Sequence, residues 1–219
     1  MIGEGYMNPF IRNDQYNFIK KQAQALVNGH ATVSDRAVLN ALKALSSEKV
    51  LGLFEETTGE QKSLLNPIKD ITEKVESEVF LETLKPYVIP FKEINATTIK
   101  KIFPKAKKLK IPTLDNINFK EISYLGWLDK GSNKKFLIVE YQDKLVGIYG
   151  GYKNSNKKGI CALCNRTEEI GMFTASVKGL TQDAFITRGN YICQDSQKCN
   201  ENIVTLDKLN GFIELIQTK

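Results

Sequence analysis

Four cysteines, Cys161, Cys164, Cys193 and Cys199, fall within thirty-nine residues in the pattern C-x2-C-x28-C-x5-C, and the 219-residue chain has no others. Zinc takes four tetrahedral thiolates at ~2.3 Å, and a tight C-x2-C turn supplies two of them from one short loop. Cys161-Ala-Leu-Cys164 predicts such a knuckle, with Gly159 ahead of it helping the chain to turn. The second pair is spaced too widely for another knuckle. It fits a strand end donating Cys193 and the opening of a helix or turn donating Cys199. Knuckle, hairpin, strand end and helix start make the layout of a treble-clef zinc finger holding one structural zinc ion. Four thiolates close the coordination shell, leaving no position for water or substrate, so the metal is expected to hold shape and not to catalyse. The competing reading is a thiol redox switch, but C-x2-C redox pairs act in a βαβ context that the flanking sequence lacks.

The compartment supports metal over disulfides. The N-terminal stretch MIGEGYMNPFIRNDQ carries charges and no apolar signal core, and no run approaches the ~18 apolar residues of a membrane helix. A cytoplasmic location with no membrane contact is expected, and there clustered cysteines bind metal. The formal net charge of +6 favours an acidic partner, protein or nucleic acid, without choosing between them. Hydrophobic residues at 42% exclude a disordered chain and allow two modest domains.

The hydrophobic period changes along the chain. Residues 1–104 read as an all-α helical bundle. Tyr16, Ile19, Ala23 and Leu26 recur at helical spacing, and Val38, Leu42 and Leu45 repeat the pattern with Leu39 beside them. Ser34 is the expected cap of that second helix, with Asp35 favourable at its positive end. Leu64, Leu65, Ile68 and Ile71 predict a short helix limited by Pro67, and Val75–Tyr87 another with Val75, Val79 and Leu84 inward. Residues 105–219 read as an α+β domain with its zinc-binding part at 158–219. Strands are expected over Glu121–Trp127, Lys135–Gln142 and Lys144–Tyr149, the middle one buried on both faces, and a closing helix buries Leu206, Leu209, Ile213 and Ile216. The basic segment KKIFPKAKKLKIP at the junction, from Lys100 to Lys110, is expected as a solvated helix end and linker. Its alternative role is an arm for ribosomal RNA, which would make the chain a zinc-finger RNA- or ribosome-binding protein.

Nothing in the chain assembles a catalytic set. The single histidine, His30, follows Asn28-Gly29 between two predicted helices, and no phosphate-binding glycine motif occurs. Gly147-Ile-Tyr-Gly-Gly151 reads as a turn or bulge at a strand end, and Glu55-Glu56 and Glu168-Glu169 as solvated pairs. A non-enzymatic protein is expected, monomeric by default.

The stretches GWLDKGSNKKFLIVEY (126–141), KLVGIYGGY (144–152), KGICALCN (158–165) and RGNYICQDSQKCN (188–200) resemble the FusB/FusC family of elongation factor G-binding proteins, associated with fusidic acid resistance. KKLKIP (107–112), YVIPF (87–91) and DQYNFIKK (14–21) extend the likeness over nearly the whole chain. The resemblance implies a helical N-terminal domain and a C-terminal treble-clef domain that binds the C-terminal domains of elongation factor G. Binding would release the factor from ribosomes on which fusidic acid has trapped it, protecting the target without destroying the drug. The family's contact surface has an aromatic residue before the first cysteine, and a lysine and a tyrosine before the third. Tyr191 keeps the tyrosine, Arg188 replaces the lysine, and Ile160 replaces the aromatic with apolar area but no ring. The bland alternatives are that Ile160 packs beneath the knuckle and Tyr191 packs within its strand.

Overall fold

The computed structural model describes residues 7–106, 109–178 and 185–217. They divide into two compact units, Met1–Ile89 and Pro90–Lys219.

The first unit is helical: α1 (Asn13–Thr32), α2 (Arg36–Leu51), α3 (Gly59–Leu65) and α4 (Lys74–Leu84), with a 3-10 turn at Asn66–Asp70 that Pro67 opens. Ile19, Ala23 and Leu26 of α1 are buried as the period requires, against Val50, Leu65, Ile68, Phe80 and Leu84. The start of α1 is held by polar groups. Arg12 pairs with Asp14 at 2.9 Å, and the Gln15 side chain donates to the Leu53 carbonyl at 2.8 Å.

Three expectations for this unit are corrected. Asp35, not Ser34, caps α2, its Oδ1 accepting from the Ala37 N–H at 2.7 Å; a carboxylate is the better acceptor at a helix's positive end. On α2, Val38 and Leu45 are exposed, and the helix buries Ser46 and Val50 instead. On α4, Val75 and Val79 are exposed while Ser77, Phe80 and Leu84 face the core. Both α4 stripes have apolar residues four apart, so periodicity alone cannot choose. Burying the Phe80 ring removes more apolar area from water than either valine would, and that decides the helix's rotation. His30 also differs in place: it lies in the last turn of α1, because the helix runs through Asn28-Gly29 to Thr32.

The second unit is a five-stranded antiparallel meander in the order β1 (Tyr124–Asp129), β2 (Lys134–Tyr141), β3 (Lys144–Ile160), β4 (Thr167–Lys178) and β5 (Phe185–Cys193). Gln142 and Asp143 both take positive φ, the geometry of a two-residue hairpin turn that matches strand twist. Interior strand β2 is buried on both faces, as its sequence predicts. Phe136 and Ile138 meet one cluster with Phe103 and Leu125; Leu137 and Val139 meet the other, which includes all four cysteines. Two helices, α6 (Ser196–Asn202) and α7 (Asp207–Gln217), lie on the cysteine side, and α7 buries Leu209, Phe212, Ile213 and Ile216.

The unit boundary falls fifteen residues before the expected 104/105 junction, and the intervening segment is not a linker. Its helix α5 (Ala96–Ile102), with Phe91, Ile94, Ile99 and Phe103, fills the cluster on the second face of the sheet. Gly147 explains how α5 fits. It sits inside β3, not at a strand end, and a Cβ there would run into Ile102 and the Phe103 ring. Lys100, Lys101, Lys105 and Lys110 are exposed; Lys107 and Lys108 lie outside the described residues.

The rotation of α4 is testable by chemical denaturation followed by circular dichroism. Phe80→Ala is expected to destabilise the helical unit by ~3–5 kcal/mol, the cost of a large core truncation, whereas Val79→Ala should stay within about 0.5 kcal/mol, as for exposed sites.

Candidate metal centre and the face beside it

The β3–β4 connection carries the knuckle. Cys161 N–H donates to the Arg166 carbonyl at 3.0 Å and Asn165 N–H to the Cys161 carbonyl at 2.9 Å, with Asn165 in the left-handed region at φ 54°. This tight turn brings Cys161 and Cys164 together. Cys193 arrives at the end of β5, opposite Ile170 of β4. Cys199 comes from α6, whose N-cap Asp195 accepts from the Gln197 and Lys198 N–H groups.

Asn200, beside the last ligand, fixes α6 to the sheet. Its Oδ1 accepts from the Ser123 and Tyr124 N–H groups at 2.7 and 3.1 Å, and its Nδ2 donates to the Tyr124 and Ser196 carbonyls at 2.9 Å each. A buried Asn can be satisfied in few places, so this bridge sets where Cys199 lands. Asn200 is not legible in the sequence, because an Asn after a cysteine carries no spacing signal.

The four sulfurs lie within 4.8 Å of one another, and all four cysteines are buried. Cys161 and Cys199 stand 3.8 Å apart and Cys164 and Cys193 3.7 Å apart. Ligands at ~2.3 Å in a tetrahedron stand about 3.8 Å apart, so these two pairs already have the spacing of a zinc site, and the wider separations, up to 4.8 Å, reach it with small side-chain shifts. Backbone N–H groups of Leu163 and Cys193 both point at the Cys161 sulfur at 3.3 Å, a geometry that favours thiolate. Hydrogen bonds from Cys164, Cys193 and Cys199 push the Cys161 thiol down, and donating to Cys161 pushes Cys193 and Cys199 up. A cluster this tight ionises fully only around a cation.

The residues beside the ligands are exposed. Ile160, at the end of β3, is 66% accessible and Tyr191 is 42% accessible, so neither packs away in the core. Ile160 lines a groove of about 460 Å³ with Ala162, Asn165 and Asn190 on one wall and Lys208, Gly211 and Leu215 of α7 on the other. Leu215 is exposed too, and it lies off α7's buried stripe, so helical periodicity does not single it out. Arg188 and Tyr191 are three apart on β5 and therefore face opposite sides of the sheet. Arg188 is turned toward α7, its Nη1 donating to the Leu215 carbonyl at 2.8 Å near that helix's C-terminus. The Tyr191 carbonyl accepts from the Ala162 N–H at 2.8 Å, tying β5 to the knuckle. Ile160 and Arg188 thus meet around α7, while the Tyr191 ring is displayed separately.

Two family models match the chain in succession. The model described as elongation factor G-binding protein, N-terminal, covers residues 10–92. The model described as FBP C-terminal treble-clef zinc-finger covers residues 93–213. The solved structure titled "Structure of the fusidic acid resistance protein FusC" is similar over 97% of this chain and 100% of that one, with 30% identity and a TM-score of 0.85. The chain belongs to the FusB/FusC family of elongation factor G-binding proteins. Among curated proteins compared by sequence, none matches. The zinc-finger model's match spans all four cysteines of this chain and the start of α7. No helix among the described residues is long and apolar enough to cross a membrane.

The purified protein is expected to carry one zinc per chain by elemental analysis. Cys199→Ser should lower that content and unfold the second unit, leaving the helical circular-dichroism signal of residues 13–84 largely intact.

Proposed function

We propose that this FusB/FusC family member binds elongation factor G through the groove beside the metal centre and frees the factor from fusidic acid-stalled ribosomes. It would act by target protection, without catalysis, in the cytoplasm. The observation that most supports this is the exposure of Ile160 and Leu215 across one groove next to a buried tetrathiolate. Apolar side chains at the centre with Asn165, Asn190, Asp207 and Lys208 around them make the arrangement of a protein-binding site, an apolar middle and a polar rim.

Zinc, when bound, supplies a rigid crosslink among the knuckle, β5 and α6. The chain's own residues do the rest. Ile160 offers apolar area at the knuckle's edge, Arg188 positions the end of α7, and Tyr191 presents an aromatic contact on the other side of β5. Preorganised loops lose little freedom on docking, which favours affinity. A protein that binds one conformation of elongation factor G better than another shifts the factor toward it, and release follows if the ribosome holds that conformation less well. The net positive charge speeds encounter with an acidic partner. The exposed lysines between Lys100 and Lys110 offer a second, RNA-directed contact.

Calorimetric titration with purified elongation factor G, without ribosomes, tests the proposal. A one-to-one complex is expected, and Ile160→Asp and Leu215→Asp should each weaken it at least about tenfold, as loss of a central apolar contact does. Unchanged affinity in both variants, or binding to ribosomal RNA but not to the factor, would refute it.

A further inference from the structure

Lys135 is the one lysine among the described residues that is buried, at 1% exposure, and nothing in the binding role accounts for it. It stands on β2 next to Phe136, on the face shared with Leu137 and Val139, which is the cysteine side. Its Nζ donates to the Cys193 carbonyl at 3.0 Å and to the Gln194 carbonyl at 2.7 Å, and it lies 5.2 Å from the centre of the Tyr152 ring. No carboxylate among the described residues forms an ion pair with it. Asp195, two residues beyond Cys193, is engaged in capping α6.

A buried ammonium held only by neutral carbonyls and a ring is costly unless a negative charge balances it. Four thiolates around a divalent ion carry two net negative charges, and they too are buried. We propose that Lys135 is the positioning residue and counter-charge of the metal centre, holding the β5 end that presents Cys193 and offsetting part of the tetrathiolate's charge. The inference rests on the metal assignment and is independent of the partner.

Zinc release to a chromogenic chelator tests it on the full chain. Lys135→Met keeps the unbranched apolar stem and removes the charge. It should speed release or weaken zinc affinity about 10–100-fold, the usual effect of losing a residue behind the ligands. Lys135→Arg, which keeps the charge, should stay within about threefold of the native chain. In cobalt-substituted protein, Lys135→Met should also move the sulfur-to-cobalt charge-transfer band to lower energy, because sulfur electrons lose a stabilising cation. A purely structural lysine would not move that band. If Lys135→Met does not fold, Lys135→Gln is measured in its place, since its amide retains a donor but no charge. Native release and an unshifted band in the uncharged variant overturn the proposal, as does Lys135→Arg losing zinc as fast as the uncharged variant.

Discussion

Four buried sulfurs within 4.8 Å of one another impose a constraint that most of the second unit obeys. Thiolates at that separation repel one another strongly in a medium of low dielectric, and a divalent cation turns the repulsion into a crosslink. The crosslink joins chain segments of different kinds: the turn between β3 and β4, the last residue of β5 and the short helix α6. A seven-residue helix has little stability alone. The sheet sets its place through Asn200, whose side chain satisfies four backbone groups, and a metal bound at Cys199 would fix it a second time.

The sheet then separates structure from presentation. One face of β2 closes over Phe103 and α5, where Trp127, Phe136 and Tyr149 stack and Phe103 meets all three edge-on. The other face closes over the cysteines, α6 and α7. With both faces covered, the surfaces left for a partner are edges and ends, and the β3–β4 turn and the end of edge strand β5 are the places that a metal held by the four cysteines would fix. Ile160 and Tyr191 flank those places. Their exposure beside the cysteine cluster is what the proposed docking role rests on, and membership of the FusB/FusC family supplies the class of partner.

Much of this was legible in the residues. The cysteine spacing specifies the knuckle, and the change of period from helical to alternating marks two kinds of domain. The run Phe136–Val139 announces a strand buried on both sides, since four consecutive apolar residues leave no solvent face. Less legible were features with two equivalent solutions. Val75 with Val79 and Phe80 with Leu84 are equally good helical stripes, and only the size of the ring packed against α1 and the 66–71 segment selects between them. The junction is poorly legible because lysines and prolines between Lys100 and Pro112 look like a linker, while Ile99 and Phe103, spaced one helical turn apart, are buried in the sheet's second cluster. Lys135 could not be singled out at all, because a lysine at a strand start is ordinarily solvated.

The sequence by itself determined the donor set of the metal centre, the alternating strands β1, β2 and the first part of β3, and the family, because ligand chemistry and strand alternation act over a few residues. Tertiary structure alone decided which face of each helix is buried, where the second unit begins, and that Ile160 and Leu215 share a groove. It also placed a buried ammonium behind Cys193. Those outcomes depend on which distant segments meet, and the energy that selects them, burial of one side chain in preference to another, exists only once the chain has closed on itself.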